Sequence, residues 1–271
     1  MPKDFDLKSC KDDLSGIVFY GYNQENYKVD SLLAIKAFLK YGIKASNIFL
    51  FVPDELQLFW SRQNIGDVNV SSCDNFESTI KNQKLNYSIC LITGHSGLQG
   101  VGYHNKNGST SFYNCENIYG PFKTMASLQL GIFIFGGCVS KIFDYIDTNH
   151  SAASGPKLCV MGASGFESSF NYPCLDKNQP TNVFLSYFCK WLFQPFDVDG
   201  DSQLTLMDGF KFASTCCHDL LANTATLDWY LQLEKIKENL QRLGLKKSDY
   251  EMLVDTRDQL VRNINIQQTP W

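Results

Sequence analysis

Five short runs of this chain are apolar at consecutive rather than alternate positions: Gly16 to Tyr20, Ile48 to Val52, Tyr87 to Thr93, Leu130 to Phe135 and Leu158 to Met161. A strand that is apolar on both faces must be covered on both, and a parallel sheet with helices above and below it does this. The segments between the runs agree. Ser31 to Tyr41 has apolar residues at helical spacing (Leu32, Leu33, Ile35, Ala37, Phe38, Leu39), with Asp30 or Ser31 as its cap and Gly42 as its stop. Pro53 to about Leu85 is less regular and partly helical. Gly94 to Ser127, rich in Gly, Asn, Ser and Tyr, reads as a short hairpin or an active-site loop. Val139 to Ile146 opens a further helix. Strands alternating with helical segments predict an α/β fold, a mostly parallel sheet flanked by helices.

The last third reads as helical. Asn182 to Phe193 and Leu206 to about Leu221 are helices on either side of an acidic loop. Leu227 to Leu243 and Ser248 to Ile264 form a C-terminal helical hairpin broken at Gly244, with a capping box from Ser248 to Glu251. Residues 1–221 are expected to form one domain, with residues 222–271 as a hairpin and tail packed on it. A net charge of -4 gives no electrostatic reason to expect nucleic acid or an anionic membrane as partner. The opening MPKDFDLKSCKDD holds no apolar signal region, and no run approaches the roughly 18 apolar residues of a membrane span. The expected location is cytoplasmic, with export by a signal-independent route left open. The ten cysteines, several in apolar runs (Cys90, Cys159, Cys189), read as buried reduced thiols and not as a disulfide framework.

His95, in Thr93-Gly94-His95-Ser96-Gly97, comes just after the third run, and Cys138, in Gly136-Gly137-Cys138-Val139-Ser140, just after the fourth. Parallel strands deliver the residues beyond their C-terminal ends to one edge of the sheet, where ligands bind. A thiol attacks a carbonyl as thiolate, so it needs a base such as an imidazole beside it. Gly94, Gly97, Gly136 and Gly137 let a substrate backbone come close and leave backbone N–H groups free for an oxyanion. Singly, Cys138 reads as one more buried thiol and His95 as a loop histidine. Their shared placement at strand ends makes them a candidate dyad.

With those residues the chain resembles the caspase-like cysteine peptidases, the clan of caspases, legumains and metacaspases, most nearly its legumain-like and bacterial caspase-like members. In that clan one strand ends in His-Gly, and the next core strand ends in a nucleophilic Cys often followed by x-Ser-Gly. The separation of His95 from Cys138 is close to the about 50 residues of the caspase signature. Leu158 to Ser164 (LCVMGAS) is similar to the family's next strand, which ends in Ala-Ser beside the specificity pocket. Asp197 to Ala213 is similar to an acidic DxDGDG segment with its following helix, and Gln268-Thr269-Pro270 to a Gln-x-Pro near the final strand. Four positions depart from the pattern. Ser96 replaces the glycine after the histidine, Lys141 the glycine of Cys-x-Ser-Gly, and Gly136-Gly137 the Gln-Ala or Glu-Ala before the cysteine.

The resemblance implies a cysteine endopeptidase acting on protein or peptide substrates. Cys138 would be the nucleophile and His95 the proton donor to the leaving amine, with backbone N–H groups of Ser96, Gly97 and Cys138 holding the oxyanion. No third triad member and no cofactor is required for catalysis. The loop after the first strand (Asn23, Gln24) and the segment after the fifth (Ser164, Gly165, Glu167) would line the substrate pocket. The first loop lacks an arginine to read aspartate; Asn23 and Gln24 suit a polar or amide side chain, and Glu167 a basic one. Alternatives from other classes are an inactive caspase-like domain that binds protein partners or calcium, and a legumain-like transpeptidase or ligase. The oligomeric state is left open.

Asp197, Asp199, Asp201, Gln203, Thr205 and Asp208 place oxygens at positions 1, 3, 5, 7, 9 and 12 of a calcium-type loop, with Asp197, Asp199, Asp201, Gln203 and Asp208 as the candidate Ca²⁺ ligands. Ser202 stands where such a loop wants glycine, and Asp208 is shorter than the usual glutamate. The plainer reading is an acidic turn capping the next helix. Cys216-Cys217-His218 lacks a second pair of ligands for zinc. Gly162-Ala163-Ser164-Gly165 lacks the G-x-S-x-G spacing of a serine hydrolase.

Overall fold

The computed structural model describes residues 13–140, 143, 155–164, 169, 171–173 and 180–220. In chain order its elements begin with β1 (Leu14–Tyr20), α1 (Glu25–Tyr41), β2 (Ile48–Val52), α2 (Asp54–Ser61), β3 (Asn69–Ser72), α3 (Phe76–Lys81) and β4 (Tyr87–Thr93). They continue with β5 (Ser96–Gly97), β6 (Gly100–His104), β7 (Thr110–Tyr113), α4 (Cys115–Lys123), β8 (Leu130–Phe135) and β9 (Lys157–Gly162). The remainder are β10 (Asn171–Pro173), β11 (Pro180–Asn182), α5 (Val183–Phe193) and α6 (206–220). The chain divides into a unit of residues 1–214 and a second of residues 215–271. Of the second unit, only the helical residues 215–220 are described.

The fold is α/β. Six strands form one sheet in the order β3-β2-β1-β4-β8-β9, and each pairing between neighbours is parallel. Strands β1, β2 and β8 are buried along their whole length, which is why they read as apolar runs without alternation. Ile17, Phe19, Phe49, Phe51, Cys90, Ile92, Phe133 and Phe135 face one layer, where α3 and α4 add Phe76, Ile80, Tyr119 and Phe122. Phe133 meets Tyr119 and Phe122 edge-on, with ring centroids 4.8 and 4.9 Å away, the geometry that aromatic quadrupoles favour. On the other side α1 packs against β1 and α5 against α1, burying Ala34, Ile35, Phe38, Phe188 and Leu192.

The expected strands appear with nearly the expected bounds, and four local readings are corrected. Helix α1 starts at Glu25, so Asp30 and Ser31 are not its cap. Both are buried inside it, and the Asp30 carboxylate accepts hydrogen bonds from the Thr93 hydroxyl (2.7 Å) and the Asn182 backbone N–H (2.9 Å). The segment from Gly94 to Ser127 does hold a hairpin set, β5-β6-β7, but also the helix α4. That helix is opened by a reciprocal Asn114/Asn117 capping box and carries Pro121 inside it. Strand β3 (Asn-Val-Ser-Ser) lies at the sheet edge, where one partner suffices and polar residues are tolerated. Val139 lies in a turn, and Ser140 and Phe143 are in short 3-10 turns; the rest of the helix expected over Val139 to Ile146 lies outside the described residues. So do the C-terminal hairpin (Leu227 to Ile264) and Gln268 to Pro270.

Gly42 ends α1 as read from the sequence. Its φ is 108°, and its N–H closes onto the carbonyls of Phe38 and Leu39. A Cβ is disfavoured there, so Gly42→Ala is expected to cost about 1–2 kcal/mol in a urea unfolding experiment at unchanged m-value. Among the described residues, no helix is long and apolar enough to cross a membrane.

Candidate active site

The order of strands reverses at β1. From β1 the chain moves outward through β2 and β3, then returns to the other side of β1 with β4 and moves outward again through β8 and β9. The C-terminal edge at such a switch point is where an open α/β sheet leaves a crevice. His95 sits just beyond β4 and Cys138 just beyond β8, and these strands are neighbours with Ile92 opposite Phe135. The pairing continues past the strand end, as the Gly136 N–H donates to the Ile92 carbonyl at 2.8 Å. The two loops then touch, the Ser96 hydroxyl donating to the carbonyl of Cys138. The sheet thus brings His95 and Cys138 to one edge on adjoining, bonded loops.

The loop after β1 closes on the imidazole. His95 is exposed, with Tyr22 and Tyr27 standing edge-on to it at centroid distances of 5.1 and 5.6 Å. The amide nitrogen of Gln24 lies 3.0 Å from His95 Nε2. Gln24, read from the sequence as a pocket residue, therefore contacts the proposed proton donor itself; Asn23 beside it is exposed. Tyr27 is buried, and burial pushes its hydroxyl up to about 12, opposed by a hydrogen bond with Asn26 and reinforced by the nearby Cys138. Tyr27 is thus a protonated phenol near the thiol. Sequence reasoning missed it, because a helix start placed at Asp30 or Ser31 leaves Tyr27 in the polar loop ahead of it, whereas α1 begins at Glu25.

Cys138 is half-buried. Its sulfur receives the Ser169 backbone N–H at 3.4 Å and lies 3.7 Å from the Ser169 hydroxyl. The next residue, Val139, has φ 53°. A β-branched side chain seldom occupies that left-handed region, so the turn that presents the thiol is strained. Ser140 and Ser164 clasp the far side of the turn. The Ser140 hydroxyl donates to the Ser164 carbonyl (2.8 Å) and accepts from the Ser164 N–H (2.9 Å), while the Ser164 hydroxyl accepts from the Ser140 N–H and donates to the Gly137 carbonyl (both 3.1 Å). Ser164, which the resemblance placed in the substrate pocket, braces the cysteine turn. Gly165, Glu167 and Lys141 lie outside the described residues. The thiols of Cys73, Cys90 and Cys189 are buried, and burial pushes each of them up, away from the thiolate form a nucleophile needs.

The oxyanion donors separate by strand register. Ser96 pairs with Val101 and Gly97 with Gly100, and the Gly102 N–H donates to the His95 carbonyl at 2.8 Å. Bonded and non-bonded pairs alternate in an antiparallel ladder. The Ser96 N–H is therefore turned away from β6, whereas that of Gly97 faces Gly100.

In the acidic loop, Asp197, Asp199 and Asp208 bring oxygens within 4.8 Å of one another, and Asp201 does not join that group. The Asp197 carboxylate accepts the N–H groups of Gly200 and Ser202, both at 2.7 Å. Asp208, buried, accepts from the Val198 and Thr205 N–H groups and the Thr205 hydroxyl, capping α6. Ser202 adopts φ 66°, the left-handed turn a calcium-type loop makes at that position. The Lys211 ammonium meanwhile pairs with Asp199, so the carboxylates of this loop already have donors within the protein.

In comparisons with known proteins, no protein-family model matches the chain, and no curated protein matches it.

Proposed function

We propose that this chain is a cysteine endopeptidase of the caspase-like kind, working through Cys138 and His95. The observation that carries the reading is the delivery of a thiol and an imidazole by adjacent parallel strands to the switch-point edge of the sheet, on loops that bond to each other. In the reaction, Cys138 passes its proton to His95 and its sulfur bonds to the scissile carbonyl carbon. The negative oxygen is held by backbone N–H groups, those of Ser96 and Cys138 being the candidates. His95 then gives a proton to the departing amine as the C–N bond breaks. Water hydrolyses the thioester and restores the thiol. The buried Tyr27 and the Gln24 amide limit the orientations open to the imidazole, the part a third residue plays in other nucleophilic sites.

Peptides and proteins are the substrate class, and the absence of arginine among Gly21 to Glu25 argues against an aspartate requirement. A peptide carrying an acyloxymethyl ketone should label the protein once, at Cys138, as read by mass spectrometry of the digested adduct. No label at that residue would favour an inactive binding domain. Unlabelled enzyme that joins the acyl part of a peptide substrate to an added amine, without releasing the free acid, would favour the ligase.

A further inference from the structure

With Cys138 as the proposed nucleophile, we infer that Ser96 is its positioning residue and that residues 96 and 137 form a matched pair. Two independent features of the site meet at this point. The Ser96 hydroxyl donates to the Cys138 carbonyl, the oxygen of the peptide unit that leads into Val139. A bond to that oxygen fixes the plane of the peptide and so supports the φ of 53° that turns the chain beneath the thiol. Ser96 is itself held firmly. It pairs with Val101 in β5-β6, and that hairpin is tied to the end of β1 by the His104 N–H on the Gly21 carbonyl, 2.8 Å.

The second feature is space. A Cβ on Gly137 would overlap the Ser96 hydroxyl and come within 2.9 Å of the Gly94 carbonyl oxygen. Contacts that close to backbone and to a held side chain cannot relax freely. The Ser96 side chain thus occupies the space beside Gly137 that a side chain at 137 would need, and its hydroxyl reaches the cysteine turn, a bond that a glycine at position 96 could not make.

The test is a double-mutant cycle with one added variant, read by thermal melting and by the rate of iodoacetamide alkylation at Cys138, resolved from other thiols by peptide mass spectrometry. Gly137→Ala is expected to lower Tm by about 5 °C or more, or to prevent folding, and the double variant Ser96→Gly/Gly137→Ala to recover about half or more of that loss relative to Ser96→Gly, the remainder being the close contact with the Gly94 carbonyl oxygen. Ser96→Ala keeps the Cβ and removes only the hydroxyl. It is expected to hold Tm within about 2 °C while slowing alkylation at Cys138, and kcat on any cleaved peptide, by about 10-fold at unchanged KM. Additive melting shifts in the cycle would overturn the matched pair, and wild-type alkylation in Ser96→Ala would overturn the positioning role. A wild-type protein that alkylates at Cys138 yet cleaves no peptide counts against the peptidase reading instead, and both readouts of the pair stand without cleavage.

Discussion

Alanine at Cys138 is expected to take peptide cleavage to background, a loss of at least about 10⁴-fold, while alanine at His95 leaves a residual activity about 10²–10⁴-fold below wild type. The two losses differ because the two groups do different work. Without the sulfur no acyl-enzyme forms, and no other described thiol at this sheet edge can replace it, since Cys73, Cys90 and Cys189 are buried and held protonated. Without the imidazole the sulfur can still attack, but the leaving amine must take its proton from water. Added free imidazole should therefore restore part of the His95→Ala rate and none of the Cys138→Ala rate. Folding should be unaffected by His95→Ala, because the ring is exposed and its polar partner is the side chain of Gln24. Cleavage that survives in Cys138→Ala, or a His95→Ala enzyme within a few-fold of wild type, would remove the dyad as the seat of the reaction.

Raising the pH from 5 to 9 is expected to destabilise the wild-type protein relative to Asp30→Asn by about 3 kcal/mol. Burial raises the Asp30 carboxyl to about 7, against the hydrogen bonds from Thr93 and Asn182, which lower it. A carboxyl whose folded value lies above its unfolded value binds its proton more tightly when folded. Its contribution is complete below about pH 4, falls as the pH rises toward 7, and is lost above that. Its titratable neighbours, Tyr27 on its own helix and Cys189 on α5, are pushed up by burial and stay neutral across this range. Asparagine keeps an oxygen for the Asn182 N–H and offers an N–H to the Thr93 hydroxyl, so the connections survive without a titrating group. Urea unfolding of both proteins across this range decides, and parallel curves would mean that Asp30 is not protonated in the folded state.

Asp30 also shows where the sequence misleads. An aspartate and a serine ahead of an apolar periodic stretch have the pattern of a helix start, yet α1 begins earlier, at Glu25, without a side-chain cap. What holds Asp30 inside the helix is a pair of partners at positions 93 and 182, and local pattern carries no trace of such distant contacts. Helix α4 was illegible for a different reason: Gly120-Pro121 reads as a breaker, while its true start signal, Asn114 with Asn117, lies in a stretch of turn-forming residues. Strands β2, β4 and β8 were legible to the residue, since burial on both faces leaves no freedom in composition. The placement of His95 and Cys138 came with those strand ends. The contacts of Gln24 and Tyr27 with His95 and the Ser140–Ser164 clasp depend on loop conformation, which apolar periodicity does not encode.

The strand order also sets when the proposed dyad can assemble. Loops that leave β1, β4 and β8 bring Gln24, His95 and Cys138 to the sheet edge, so these residues enter the fold well apart along the chain. A nascent chain that has emerged only as far as α4 holds the imidazole but no partner for it. One in which β8 has yet to dock beside β4 has both groups but leaves them apart. Non-local parallel pairing of this kind is among the slower steps of folding, and here it is also the step that joins thiol to imidazole. On the proposed reading, reactivity toward peptides is thereby tied to completion of the sheet, so partly folded copies, the ones most exposed to one another, would be the ones unable to cut.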